Sequence, residues 1–215
     1  MIPENCKAII FDMDGVLWKS SKIHYKAFCD TLKDEKLKPP SYKYIAGKRT
    51  DDVMKEICRE QIKKYDHYIV QRLIEKKQKL AREELQKNPP VAKNCIKTLK
   101  KLSTKYTLAL ATSGSSENVK TFLSFTGLEN IFKSIISGDD VESAKPDPEI
   151  YLLTVKRLNL TANECLVVED SLNGIMSAHN AGVKSIAITG THKQTELSSS
   201  SSIFIINNLI ELCQE

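Results

Sequence analysis

The sequence predicts an α/β fold: a doubly wound, Rossmann-like parallel sheet core with an inserted all-helical cap domain. Three observations predict it. Six short apolar runs lack the polar alternation of half-exposed strands, as expected when helices cover both faces of a sheet. Helical patterns separate most of these runs. One long stretch, 20–90, carries helical patterns and no strand pattern at all.

Taken in chain order, the runs fall at 8–11, 108–111, 134–136, 166–168, 185–188 and 203–206. The intervening patterns predict helices near 91–103, 115–126, 147–158, 171–181 and 208–213. The 20–90 stretch interrupts this alternation directly after the first strand. Pro39-Pro40 and Gly47 punctuate it, and Pro89-Pro90 closes it. The expected division is a core of 1–19 and 91–215 and a cap of 20–90. The last cap helix places Ile69, Leu73 and Leu80 on one stripe, flanked by Lys76 and Lys77. Such lysines either lie over a helix edge or point into a cleft between cap and core.

Composition bounds the function. The 215 residues carry 41% apolar side chains, enough for one large domain or a core with an insertion. Net charge is +5, from 32 basic and 27 acidic residues. The charge is uneven: residues 20–90 hold 18 basic and 11 acidic side chains, a balance that either steers anions or marks solvated helix faces. No stripe of interleaved aromatic and basic residues accompanies it, so nucleic acid is not an expected partner. No apolar run reaches membrane-spanning length. The six cysteines are widely spaced and form no C-x-x-C pair, which predicts reduced thiols and a cytoplasmic protein.

Four polar clusters carry the chemistry, and on an open α/β sheet such groups gather at the carboxyl ends of strands. Asp12-Met13-Asp14-Gly15 follows the first run. Two carboxylates this close repel, so a cation is expected beside them, and glycine permits the sharp turn. Thr112-Ser113-Gly114-Ser115 follows the second run and offers hydroxyls and backbone N–H groups to an anion; it is equally an ordinary helix N-cap. Lys145-Pro146-Asp147-Pro148 holds a lysine at a helix start. Glu169-Asp170-Ser171 puts adjacent acids after a buried strand, costly unless paired or cation-bound. Together they make the inventory of a phosphoryl-transfer site.

These four clusters, in this order, resemble the motif set of the haloacid dehalogenase-like superfamily, in particular its β-phosphoglucomutase and phosphoglycolate phosphatase group. Phe11 to Leu17, Lys145 to Pro148 and Val168 to Gly174 carry the likeness, which extends over essentially the whole chain. The resemblance implies roles. Asp12 is the nucleophile and Asp14 the general acid and base. Thr112 and Ser113 bind the transferring phosphoryl group, and Lys145 neutralises it. The metal is Mg2+, held by Asp12, the Asp14 carbonyl and Asp170, with Glu169 at the ion or one of its waters. In the cap, His24, Gly47, Arg49 and Lys77 (or Lys76) match substrate-contacting positions. Arg49 follows the glycine by two residues where mutases have three, and Lys19 replaces a usual acid.

The implied activity is hydrolysis of small phosphorylated metabolites, foremost sugar phosphates, by a monomer or weak dimer. A sugar-phosphate mutase is the alternative. A non-catalytic binding protein would lack Asp12 or Asp14, and a dehalogenase would not need Asp170.

Overall fold

The computed structural model describes residues 1–62 and 66–214. Six parallel strands form one sheet: β1 (Ala8–Phe11), β2 (Thr107–Ala111), β3 (Phe132–Ile136), β4 (Cys165–Glu169), β5 (Lys184–Ile188) and β6 (Phe204–Ile206). Their order across the sheet is β3-β2-β1-β4-β5-β6. The chain therefore winds outward from β1 in both directions, and β1 and β4 end side by side at the reversal, with Phe11 opposite Val168. This is the crevice where an open α/β sheet binds ligands.

Helices cover both faces. They are α5 (Cys95–Leu102), α6 (Ser116–Thr126), α7 (Glu149–Leu158), α8 (Leu172–Asn180) and the short α9 (Gln194–Leu197). Two apolar clusters result, one on each side of the sheet. One gathers Ile9, Phe11, Leu108, Leu110, Leu166 and Val168. The other gathers Ala8, Ile10, Ala109, Ala111 and Val167 with Tyr151 of α7. Alternate residues of the same strand face opposite clusters, which explains the unbroken apolar runs. The 91–103 expectation shortens to 95–102, because Asn94 takes a left-handed conformation (φ 64°) just before α5. The expected helix at 208–213 is a 3-10 turn, Leu209–Cys213.

Between β1 and β2 come α1 (Ser21–Asp34), α2 (Tyr42–Ile45), α3 (Thr50–Gln61) and α4 (His67–Lys87). They share an apolar cluster of their own, including Phe28, Leu32, Met54, Ile57, Leu73 and Ile74. The stripe of α4 differs from the sequence expectation. Val70, Leu73, Ile74, Lys77, Ala81 and Leu85 are buried, while Ile69 and Leu80 are half-buried at its margins. Spacings of three and four residues follow the 3.6-residue turn, and they carry Lys77 into the stripe and Lys76 out of it. Lys76 instead pairs with Asp34 at 2.5 Å on the surface.

The insertion leaves and rejoins the sheet through a two-stranded joint. Lys19 N donates to Pro90 O (2.7 Å) and Ala92 N to Leu17 O (2.9 Å). Trp18 pairs with Val91 in this joint and packs against Phe122, ring centroids 5.3 Å apart. All six cysteines are free thiols. No helix among the described residues is long and apolar enough to cross a membrane.

Candidate active site

A cleft between the strand ends and the insertion is lined from below by Asp12, Asp14, Thr112, Ser113 and Asp170, and from above by His24, Gly47, Arg49, Thr50 and Lys77. Every predicted site residue except Lys145 and Glu169 lines it; those two are buried beneath its floor.

The floor is a tight ion cluster. Lys145 Nζ donates to Asp12 Oδ1 and to Glu169 Oε1, each at 2.7 Å, and to Ala111 O at 3.3 Å. Its three protons are thereby used. Glu169 is equally saturated. Tyr151 Oη donates to its Oε1, while the amides of Asp170 and Ser171 and the Ser171 hydroxyl donate to its Oε2. Gly174 faces this carboxylate so closely that a Cβ would lie 1.8 Å from Glu169 Oε1. Gly15 does the same for Asp170: it sits at φ +91°, and its Cβ would lie 1.8 Å from Asp170 Oδ2. Gly15 and Gly174 are thus required by close approach.

Carboxylate oxygens of Asp12, Glu169 and Asp170 all lie within 4.8 Å of one another, and all three residues are buried. Among the described residues, Lys145 is the one cation hydrogen-bonded to any of these three carboxylates. Burial, and next the Glu169 charge, pushes the Asp170 carboxyl up to about 7. Burial chiefly, with Glu169 and Asp170, also lifts Asp12 well above its ordinary range despite Lys145. Hard oxygen donors, buried and short of positive charge, fit a divalent cation such as Mg2+. Since the Glu169 oxygens are already filled, Asp12 and Asp170 are the side chains left to hold it.

Asp14 points the other way. Its Oδ1 accepts from Ser20 Oγ (2.5 Å) and lies 3.1 Å from His24 Nε2. Burial opposes its ionisation, but His24, Ser20 and Lys77 outweigh burial and hold its pKa below the ordinary value. Lys77 Nζ donates to Thr50 Oγ1 (3.0 Å), lies 3.3 Å from His24 Nδ1 and sits 4.5 Å from the Phe28 ring centroid. Burial brings Lys77 down to about 8, partly countered by Asp14 and Asp51.

Thr112 Oγ1 accepts from Gly114 N at 3.0 Å, and Ser115 caps α6. The N-cap reading of this cluster therefore holds, and Thr112, Ser113, Gly114 and Ser115 all line the cleft. Ser113 Oγ donates to Gly47 O at 2.7 Å, tying the core loop to the insertion. Arg49 lines the cleft, yet its Nη1 donates to the carbonyls of Val141 (2.9 Å) and Glu142 (3.2 Å). Sequence reasoning missed Tyr151, Thr191 (which donates to Asp170 Oδ2) and Asn118, a buried residue of the cleft wall whose Oδ1 has no partner among the described residues. None of the three stands in a recognisable pattern; only packing brings them to the site.

The family model of the haloacid dehalogenase-like hydrolases matches residues 9–188. The chain belongs to this family, and it is an enzyme of it. A phosphorylated carbohydrates phosphatase of Thermotoga maritima is 33% identical over 184 residues, covering 84% of this chain and 83% of that protein. A pyrophosphatase PpaX of Bacillus velezensis is 26% identical over 205 residues, covering 90% and 88%. In fold, the chain superposes on a β-phosphoglucomutase from Clostridium difficile with a TM-score of 0.84 at 21% identity, over 96% and 93% of the two chains.

Proposed function

We propose that this chain is a Mg2+-dependent phosphatase of small phosphorylated metabolites, foremost sugar phosphates, acting through an aspartyl phosphate on Asp12. One observation carries the reading: Asp12 is buried against Lys145 at the cleft floor, while Asp14, two residues on, faces His24 across the cleft. The two carboxylates of one motif thus have separate partners: a fixed lysine beside Asp12 suits a nucleophile, and a hydroxyl and an imidazole at Asp14 suit a group that exchanges protons. The carbohydrate phosphatase relative supports the substrate class.

In this mechanism an Asp12 oxygen attacks phosphorus in line, the bond to the leaving oxygen breaks, and Asp14 protonates that oxygen. Asp14 then takes a proton from water, which attacks the aspartyl phosphate and releases inorganic phosphate. The bonds from Ser20 and His24 favour the ionised Asp14 of the second step. Its acid form requires Asp14 to turn from them toward the substrate oxygen. Thr112 and the Ser113 amide hold phosphoryl oxygens, and Lys145 balances charge on Asp12 and the phosphate. Bound Mg2+ would be held by Asp12 and Asp170 and would supply charge neutralisation at the phosphoryl group.

The α1–α4 insertion serves as the cap, with His24 and Lys77 facing the rest of the substrate. The engagement of Arg49 with core carbonyls favours hydrolysis over a mutase reaction, which needs a cation for a second phosphate. Free thiols fit a cytoplasmic setting. Asp12→Asn is expected to lower Mg2+-dependent phosphate release from sugar monophosphates by at least about a thousandfold. Full activity in that variant removes Asp12 as the nucleophile.

A further inference from the structure

Arg49 is the residue whose sequence expectation and structural position differ most. It was expected to contact substrate. In the structure Arg49 Nη1 reaches the carbonyls of Val141 and Glu142, at 2.9 and 3.2 Å, on the core side of the cleft. These two residues open the loop that runs into Lys145. The same loop is tied down at its other side, where the Glu149 carboxylate accepts from the amides of Glu142 and Ser143. The loop is thus gripped by a cation from the insertion and an anion from the core.

Further bonds fix the segment that presents Arg49. Ser113 Oγ donates to Gly47 O (2.7 Å) and Asn173 Nδ2 to Ala46 O (2.8 Å). Three of the four residues 46–49, Ala46, Gly47 and Arg49, are therefore held by three separate parts of the core: the first turn of α8, the 112–115 loop and the 141–145 loop. At Gly47 the fit leaves no room for a side chain, because a Cβ would lie 2.5 Å from Ser171 Oγ, and φ is +78°.

We propose that Arg49 is a positioning residue rather than a substrate ligand: it latches the insertion to the 141–145 loop and so couples closure of the cleft to the placement of Lys145. Charge-assisted bonds to carbonyls are strong enough for this role, and closure that completes a catalytic set is a general enzyme device. The proposal rests on the phosphatase reading of the cleft. It adds that the latch is indifferent to the substrate, since its acceptors belong to the protein.

The test compares wild type, Arg49→Ala and Arg49→Lys on a small aryl monophosphate, a sugar monophosphate and a sugar bisphosphate. A latch predicts that kcat falls by about tenfold or more on all three substrates in Arg49→Ala, with their relative kcat/KM preserved and partial recovery in Arg49→Lys. A loss confined to the bisphosphate makes Arg49 a ligand of the second phosphate and overturns the proposal. Hydrogen exchange without substrate gives a second readout. In both variants the 46–49 and 141–145 segments are expected to exchange faster together, with the sheet strands unchanged as the control for folding. Unchanged exchange at 141–145 also overturns it. If instead wild type releases no phosphate from any substrate, the phosphatase reading fails while the exchange arm still decides the latch.

Discussion

Lys145 and Lys77 are both buried lysines beside an aspartate of the same motif, yet their surroundings are opposite. Lys145 lies at the strand ends among two carboxylates and a carbonyl, and Asp12 and Glu169 overcome burial to raise its pKa well above the ordinary value. Lys77 lies in the insertion with one hydroxyl, one imidazole nitrogen and an aromatic face, and burial prevails. The first charge is held by the fold. The second is held in readiness, with protons left for an anion that the cleft admits. A fixed charge suits chemistry common to every phosphate, and an under-partnered one suits recognition of what differs between them.

Removing one charge from each region should therefore have opposite effects on stability. Glu169→Gln breaks the core set: with its carbonyl kept toward the Asp170 and Ser171 amides, its NH2 group faces the donors Lys145 Nζ and Tyr151 Oη. Unfolding free energy is expected to fall by about 3–5 kcal/mol, read by urea denaturation, together with a large loss of kcat. Lys77→Met removes a cation that burial opposes, so the folded protein should gain about 1–3 kcal/mol at pH 7 while KM for a sugar phosphate rises. A destabilised Lys77→Met would place the two lysines in the same class.

The same contrast has a pH signature. The Lys77 ammonium, faced by His24, Asp14 and Asp51, is present below about 8 and lost above it. Because its folded pKa lies below its unfolded one, its contribution to stability improves as pH rises from about 8 toward the ordinary lysine value. Substrate binding should weaken over that rise, and Lys77→Met should flatten the KM profile there. The smallest effect belongs to the neighbouring residue. Lys76→Ala removes only an exposed pair with Asp34, and no change of KM and no resolvable change of Tm is expected.

Strand position and three of the four clusters were legible in the sequence, for one physical reason. A parallel strand buried on both faces leaves an apolar run, and whatever polar group ends it must sit at the sheet edge, so the run locates Asp12, Thr112 and Asp170 without further geometry. Helical positions were less legible. One residue turns a helix by about 100°, so Lys76 and Lys77 differ by a buried cation and a surface pair, and a stripe drawn through Ile69 and Leu80 misses Val70 and Ile74. Contacts between distant segments were not legible at all. Nothing near Arg49 announces the carbonyls of Val141 and Glu142, and nothing near Tyr151 announces Glu169.

The joint between insertion and sheet also gives the molecule an optical handle. Trp18 is the chain's one tryptophan, it is 1% exposed, and it stands in that joint with its indole N–H unpartnered among the described residues and its ring against Phe122. Its emission belongs at short wavelength while the joint is dry, and any rocking of α1–α4 that admits water there would shift it to the red. Opening and closing of the cleft can thus be followed in unlabelled protein, on the timescale of a stopped-flow trace, from a fluorophore that stands outside the cleft lining.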